Sequence, residues 1–182
     1  HFMQERGWHV SAIEKSPQAR QFAKEHFELD VAAPEALNEF ADKSFDVITL
    51  WHVMEHLEHL NGTWETLKRI LKDQGILIIA VPNPTSFDAE KYKEMWGAYD
   101  VPRHLWHFSP SVMQQFGAKH DFILCERHPM PFDAFYVSML SEKYRKSAFP
   151  FIKGLITGAE AWIVSLAKKD RSSSMIYVFR KK

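Results

Sequence analysis

Apolar and polar positions along the chain follow two rhythms, and each change of rhythm marks an element. The run Phe45-Asp46-Val47-Ile48-Thr49-Leu50 is β-branched or apolar almost throughout, the pattern of a parallel strand buried on both faces. It breaks into Trp51-His52-Val53-Met54-Glu55-His56, which crowds titratable groups at the strand's carboxyl end, where open α/β sheets bind ligands. Ile76 to Val81 is the next buried strand. Trp8 to Ile13 is an earlier one ending at Glu14, and Phe27 to Val31 a short one closing on Asp30. Between the strands the apolar positions take helical spacing. His1 to Arg6 end a helix at Gly7, and Ser16-Pro17 starts another, a capping serine with proline in the first turn. Ala19, Phe22, Ala23 and His26 share one face of that helix, and Pro34 to Ala41 is a short helix. Asn61-Gly62 is a loop, after which Thr63 caps a helix with Trp64, Leu67, Ile70 and Leu71 facing inward. Strand and helix alternate, which implies parallel strands joined by crossover helices in a layered α/β fold.

From Pro82 the rhythm is lost. Pro82-Asn83-Pro84 cannot continue a strand, and the segment to Phe108 is rich in aromatics. Ser109-Pro110 opens a helix to Ala118, Phe122 to Glu126 is a strand, and Phe132 to Tyr144 and Phe149 to Ala167 are helices. Met175 to Phe179 is the last strand. No repeat or linker divides the chain, so residues 1–182 are expected to form a single domain. Segments 84–108 and 132–168 are expected to cover a substrate. The polar face of the last helix is not basic, which favours a lid over a membrane-surface or dimer face.

Composition narrows the function classes. At 46% hydrophobic residues the chain is not disordered. Lysine plus arginine and aspartate plus glutamate number 23 each, which gives no overall electrostatic case for nucleic acid or an anionic membrane. A single cysteine, Cys125, excludes an internal disulfide and suits a reducing compartment. No run of about 20 apolar residues is present, because Lys153 and Glu160 interrupt Phe149 to Ala167. The expectation is a soluble cytoplasmic protein with no stable membrane insertion and no nucleic-acid partner. A homodimer is compatible with it.

The series Val10-Ser11-Ala12-Ile13-Glu14-Lys15-Ser16-Pro17, Phe45-Asp46-Val47-Ile48, His52-Val53-Met54-Glu55-His56-Leu57, Leu71-Lys72-Asp73-Gln74-Gly75 and Val81-Pro82-Asn83 resembles the class I S-adenosylmethionine-dependent methyltransferases. It is most similar to the small-molecule branch that includes ubiquinone-biosynthesis O-methyltransferases. Trp96-Gly97, Pro102-Arg103-His104-Leu105 and His107-Phe108-Ser109 extend the resemblance over nearly the whole chain. It implies a Rossmann-like fold, a mostly parallel sheet with helices on both faces. The family opens with a strand and a glycine-rich loop, yet no Gly-x-Gly occurs here and the seven glycines are isolated. The resemblance therefore implies that this strand and loop are absent and that the chain is a fragment of a longer protein. The Glu14 strand would then pair directly with the Phe45 strand, or another chain would fill the gap.

Site residues follow in the same terms. A carboxylate at the Glu14 strand end can accept two hydrogen bonds from a ribose diol, and the resemblance assigns Glu14, with Lys15 beside it, to the cofactor. The alternative is an exposed glutamate favoured by the following helix dipole. Asp30 and Val31 would, by the resemblance, meet the adenine. Trp51 and His52 stand where the family packs its cofactor, although core is an equally good place for Trp51. His52, Glu55 and His56 also match the inverted zinc-protease motif. That motif needs a long amphipathic helix and a distant acidic ligand, whereas here it follows a strand and precedes Asn61-Gly62, so no metal is expected. Methyl transfer mainly requires alignment of donor and nucleophile, and a neutral histidine can take a hydroxyl proton. His56 and His104 are the catalytic candidates. Arg103 could bind an anionic substrate group, with Trp96 and Tyr99 as further substrate contacts. The expected function is S-adenosylmethionine-dependent methyl transfer to a small molecule at oxygen. The alternatives are a zinc-dependent hydrolase and a non-catalytic methyltransferase-like binding domain.

Overall fold

The computed structural model describes residues 1–182, which form two compact units, His1–Ser44 and Phe45–Lys182. In the first unit a 3-10 turn, Gln4–Arg6, closes at Gly7, whose φ of 84° is a left-handed conformation that glycine takes without steric cost. Strand β1 (Ala12–Ile13) pairs in parallel with β2 (Val31–Ala32), Ala12 lying opposite Val31. Helix α1 (Pro17–Phe27) connects them, and Ser16 Oγ accepts the Ala19 N–H, the cap expected from Ser16-Pro17. Both strands are shorter than expected. Residues Trp8 to Ser11 find no partner strand, and Phe27 belongs to α1, which Glu28 (φ 54°) ends by donating its N–H to the Lys24 carbonyl. The helix expected over Pro34 to Ala41 is a 3-10 segment, Pro34–Asn38.

The second unit is built on a four-stranded sheet ordered β3 (Phe45–Trp51), β4 (Leu71–Pro82), β6 (Ser174–Lys181), β5 (Phe122–Met130). β3 and β4 are parallel, and β6 runs antiparallel to both β4 and β5. The α/β Rossmann-like class stands, with a sheet that is mixed rather than mostly parallel. β3 is an edge strand paired only with β4, and β1 does not pair with it. The expectation of burial on both faces therefore fails at β3, where only Leu50 is buried. The true central strand is β4, with Leu77, Ile79, Ala80 and Val81 fully enclosed.

Helix α2 (Leu60–Ile70) begins earlier than expected, so Asn61 and Gly62 lie in its first turn, and Thr63 donates its backbone N–H to His59 rather than acting as a cap. The earlier start places Leu60, Trp64 and Leu67 on one buried face at helical spacing. Trp64 anchors that face with Phe116, Phe122 and Phe179 edge-on around it at 5.2–5.6 Å. Helices α3 (Phe87–Tyr92), α4 (Pro110–Lys119), α5 (Asp133–Tyr144) and α6 (Pro150–Ala167) complete the unit. Ser109 Oγ caps α4 through the Val112 N–H, as its sequence predicts. A Cβ at Gly154 would meet Met139 and one at Gly158 would meet Phe135, so α5 and α6 pack antiparallel with near backbone contact. No helix is long and apolar enough to cross a membrane.

Candidate functional site

The site grows from the carboxyl end of β3. His52 takes a left-handed φ of 51° while its N–H bonds the Ala80 carbonyl of β4 at 3.0 Å, which turns the chain into the 3-10 segment Met54–His56. That turn buries Met54 and Glu55. The Glu55 carbonyl accepts the Leu105 N–H at 2.8 Å, and Trp106 Nε1 donates to the Leu57 carbonyl at 2.8 Å. These bonds fix the segment around Arg103 and His104 against the strand end.

Two histidines are oriented by backbone carbonyls. His56 Nδ1–H donates to the Arg103 carbonyl at 3.0 Å and His104 Nδ1–H to the Ala98 carbonyl at 2.8 Å. Because a carbonyl can only accept, each neutral ring keeps its lone pair on Nε2. The rings meet edge-on at 4.6 Å. Burial pushes the His104 pKa down, which favours the neutral imidazole. His52 behaves oppositely. Its Nε2 lies 3.2 Å from Asp133 Oδ2 and its Nδ1 3.3 Å from Glu55 Oε1. Asp133 first, then Glu55, raise its pKa from 6.5 to about 9 against the opposing pull of burial, so it is a cation at neutral pH. Burial works to raise the Asp133 carboxyl, yet His52 and the Ser174 hydroxyl outweigh it and hold that carboxyl below its ordinary range.

These groups line a cavity of about 310 Å³ formed by His52, Glu55, Pro82, Gly97, Ala98, Asp100, Arg103, His104, Asp133, Tyr136, Val137, Leu140 and Ser174. Glu55 Oε2 is buried there without a hydrogen-bond partner, an acceptor ready for a ligand's hydroxyl or N–H. Arg103 reaches the cavity with its guanidinium on Asp100 Oδ1 at 2.8 Å. Segments 84–108 and 132–168 both contribute lining residues. His56 meets His104 edge-on and is not itself part of the lining.

Trp96 requires a correction. It is 1% exposed, and its indole donates to Asp88 Oδ2 at 2.7 Å, so it is a core residue closed to a substrate. Tyr99 packs edge-on against Trp96 and His107, outside the lining. Trp51 is half exposed and is therefore not core. The zinc-protease motif is also not formed. Glu55 and His56 lie in the short 3-10 turn Met54–His56, while His52 stands ahead of it at the strand end and is engaged by Asp133. The donor atoms that converge are instead those of Glu55, His56 and His104, within 4.8 Å of one another, a spacing open to a divalent ion.

In the first unit, Glu14 sits at the end of β1 with its N–H on the Ala32 carbonyl, and its Oε1 accepts the Ser16 N–H at 2.7 Å. A carboxylate has a second oxygen able to accept a hydroxyl hydrogen. Lys15 follows it, its carbonyl accepting from Arg20. Asp30 is highly exposed and pairs with Lys24 at 3.2 Å, beside Val31 in β2.

Sequence reasoning missed Asp133, Asp100, Tyr136 and Ser174. Only Asp133 carried a local signal, an acidic residue at a helix start, and that is equally explained by the helix dipole.

The family model described as a methyltransferase domain matches residues 1–125. The chain belongs to the methyltransferase domain family. No curated protein matches it in sequence. The fold of this methyltransferase domain recurs in a candidate sarcosine dimethylglycine methyltransferase from Galdieria sulphuraria, 14% identical, with a TM-score of 0.63 over 99% of this chain and 72% of that one. It recurs in a SAM-dependent methyltransferase from Archaeoglobus fulgidus, 16% identical, TM-score 0.61, covering 99% of this chain and 79% of the other. A third is the 1,6-didemethyltoxoflavin-N1-methyltransferase from Burkholderia thailandensis, solved with S-adenosylhomocysteine, 13% identical, TM-score 0.56, covering 100% and 64%. S-adenosylmethionine is the cofactor that family membership and these relatives support. The zinc-hydrolase alternative has neither the family nor the long helix it requires.

Proposed function

We propose that this methyltransferase domain moves a methyl group from S-adenosylmethionine to an oxygen of a small-molecule acceptor, in the manner of the O-methyltransferase branch it resembles. The observation that carries the reading is His104, an imidazole on the cavity wall whose neutral form burial favours, whose Nδ1–H is tied to Ala98, and whose Nε2 faces the Asp100 carboxylate at 3.9 Å, outside hydrogen-bond distance. S-adenosylmethionine supplies an electrophilic methyl carbon. His104 Nε2 takes the acceptor's hydroxyl proton, and His56, packed edge-on against it from outside the lining, holds its ring in place. Glu55 Oε2 accepts a further donor from the same molecule, and the His52 cation keeps the Glu55 carboxylate oriented. Arg103 holds an anionic group at the cavity edge, and Tyr99 supports that segment. Glu14, with Lys15, is assigned to the cofactor ribose, Asp30 and Val31 to its adenine, and Trp51 and His52 to the strand end that faces the cofactor in this family.

The test is transfer of radiolabelled methyl from S-adenosylmethionine to a panel of small phenols, amines and carboxylates, with extraction of the product. Transfer to a phenol that falls by about 10²–10⁴-fold in His104→Ala supports the reading. Transfer to amines alone, or a His104→Ala rate equal to that of the parent, refutes it.

A further inference from the structure

Helix α6 is built inside out. The residues it turns toward the protein are small or polar, Gly154, Thr157, Gly158, Ala161 and Ser165. Its outward side carries large apolar groups instead: Phe151, Ile152, Ile156, Ile163 and Leu166 are each 56–67% exposed, as is Phe149 just ahead of it. At 100° per residue the outward apolar stripe spans about 140° of the helix, and its 18 residues extend about 27 Å. Phe132 and Trp162 stack beside it and widen the patch. Small residues against a neighbouring helix and large apolar ones outward is the distribution of a helix pair in contact with lipid. A scattered exposed Leu or Phe needs no explanation, but a continuous patch of this size does.

The charges around the patch identify the occupant. Lys143, Lys146 and Lys153 stand at one end of the α5–α6 pair and Lys168 and Lys169 at the other, all exposed. The acidic residues of the same elements are already committed. Glu160 pairs with Lys91, Asp170 pairs with Arg127 at 3.1 Å, and Glu142 is buried. At the C-terminal end of α6 lies an open groove of about 410 Å³ lined by Arg127, Lys168, Lys169 and Asp170, three cations to one carboxylate. A second copy of the chain laid helix to helix would bring lysines against lysines in either direction. An anionic lipid surface neutralises both ends at once and accepts the apolar stripe between them.

We propose that the α5–α6 pair docks this methyltransferase domain on an anionic membrane surface, with the outward face of α6 in the headgroup–acyl boundary and the lysines at both ends against lipid phosphates. The helix lies on the membrane and does not cross it, in keeping with its length and polarity. The overall charge balance of the chain conceals this feature, because the cations are concentrated where their carboxylate partners are spent.

The test is co-sedimentation of the whole chain with vesicles of pure phosphatidylcholine and with vesicles of equal parts phosphatidylcholine and phosphatidylglycerol. Binding to the anionic vesicles that weakens with salt is expected. The triple replacement Phe151→Ser, Ile156→Ser, Leu166→Ser should weaken it about tenfold or more. Lys168→Glu and Lys169→Glu should each weaken it about fivefold. The replaced side chains are exposed, and far-UV circular dichroism checks that α6 persists. Absence of binding, or equal binding to both vesicles, overturns the proposal. So does a dimer, seen by light scattering, that the triple replacement dissociates, since the face would then be an interface between copies.

Discussion

Replacing Asp133 by Asn tests the electrostatic centre of the cavity. The substitution keeps the side-chain volume and removes the largest cause of the raised His52 pKa. In the folded protein His52 titrates at about 9, against an ordinary 6.5. A raised folded pKa means that the stabilisation is complete below 6.5 and is lost as pH rises through about 9. Converted in full at about 1.4 kcal/mol per tenfold, the difference is about 3.4 kcal/mol. The His52 side chain is 38% exposed. Solvent screening therefore brings the expectation to about 1–2 kcal/mol. Urea denaturation across the window from 6.5 to 9 should show the parent losing that amount as pH rises. Asp133→Asn should be flatter and less stable at the acid end. Proton NMR of the His52 ring supplies a direct reading, with a midpoint near 9 in the parent that moves toward 6.5 in Asp133→Asn. A parent His52 that titrates near 6.5, or a midpoint unchanged by Asp133→Asn, would refute the ion-pair geometry.

Further outcomes follow from the same structure. His104 must be neutral to accept a proton and burial lowers its pKa, so the acid limb of kcat/KM should fall below the ordinary 6.5, and a limb above it would contradict that role. A Cβ at Gly158 would lie 2.8 Å from the Phe135 Cα, so Gly158→Ala should destabilise by about 1–3 kcal/mol in chemical denaturation despite alanine's better helix propensity. Gly62, in the first turn of α2, has open space within 4 Å of the point where a Cβ would stand, so Gly62→Ala should instead raise stability by about 0.5–1 kcal/mol. Trp64→Ala, emptying the aromatic cluster under α2, should cost about 3–5 kcal/mol in the same assay.

Features with a local physical cause were legible in the sequence. The caps at Ser16 and Ser109 depend on residues within one turn, and both formed as expected. The alternation of strands and helices likewise foretold an α/β fold. Strand lengths were not legible, because they depend on what a neighbour offers: β1 stops where β2 stops, and β3 is half-buried because only β4 pairs with it. Asn61-Gly62 has the local propensity of a loop, but burial of Leu60 and Trp64 draws the helix start forward. In the site, the strand-end position marked His52 and Glu55, and the aromatic segment marked Arg103 and His104. Asp133 could not be found this way, since only the packing of α5 brings it to His52. Trp96 shows the converse, an aromatic in a segment expected to cover a substrate that the fold uses as core through Asp88.

Calorimetric titration of S-adenosylhomocysteine into the protein and into Glu14→Ala decides whether the chain holds the cofactor through the Glu14 carboxylate. Saturable binding is expected, weakened by about 1–3 kcal/mol when the Glu14 carboxylate is removed from the ribose. Binding of equal strength in the two proteins would contradict the assignment of Glu14 to the ribose, and no binding in either would contradict cofactor binding by residues 1–182.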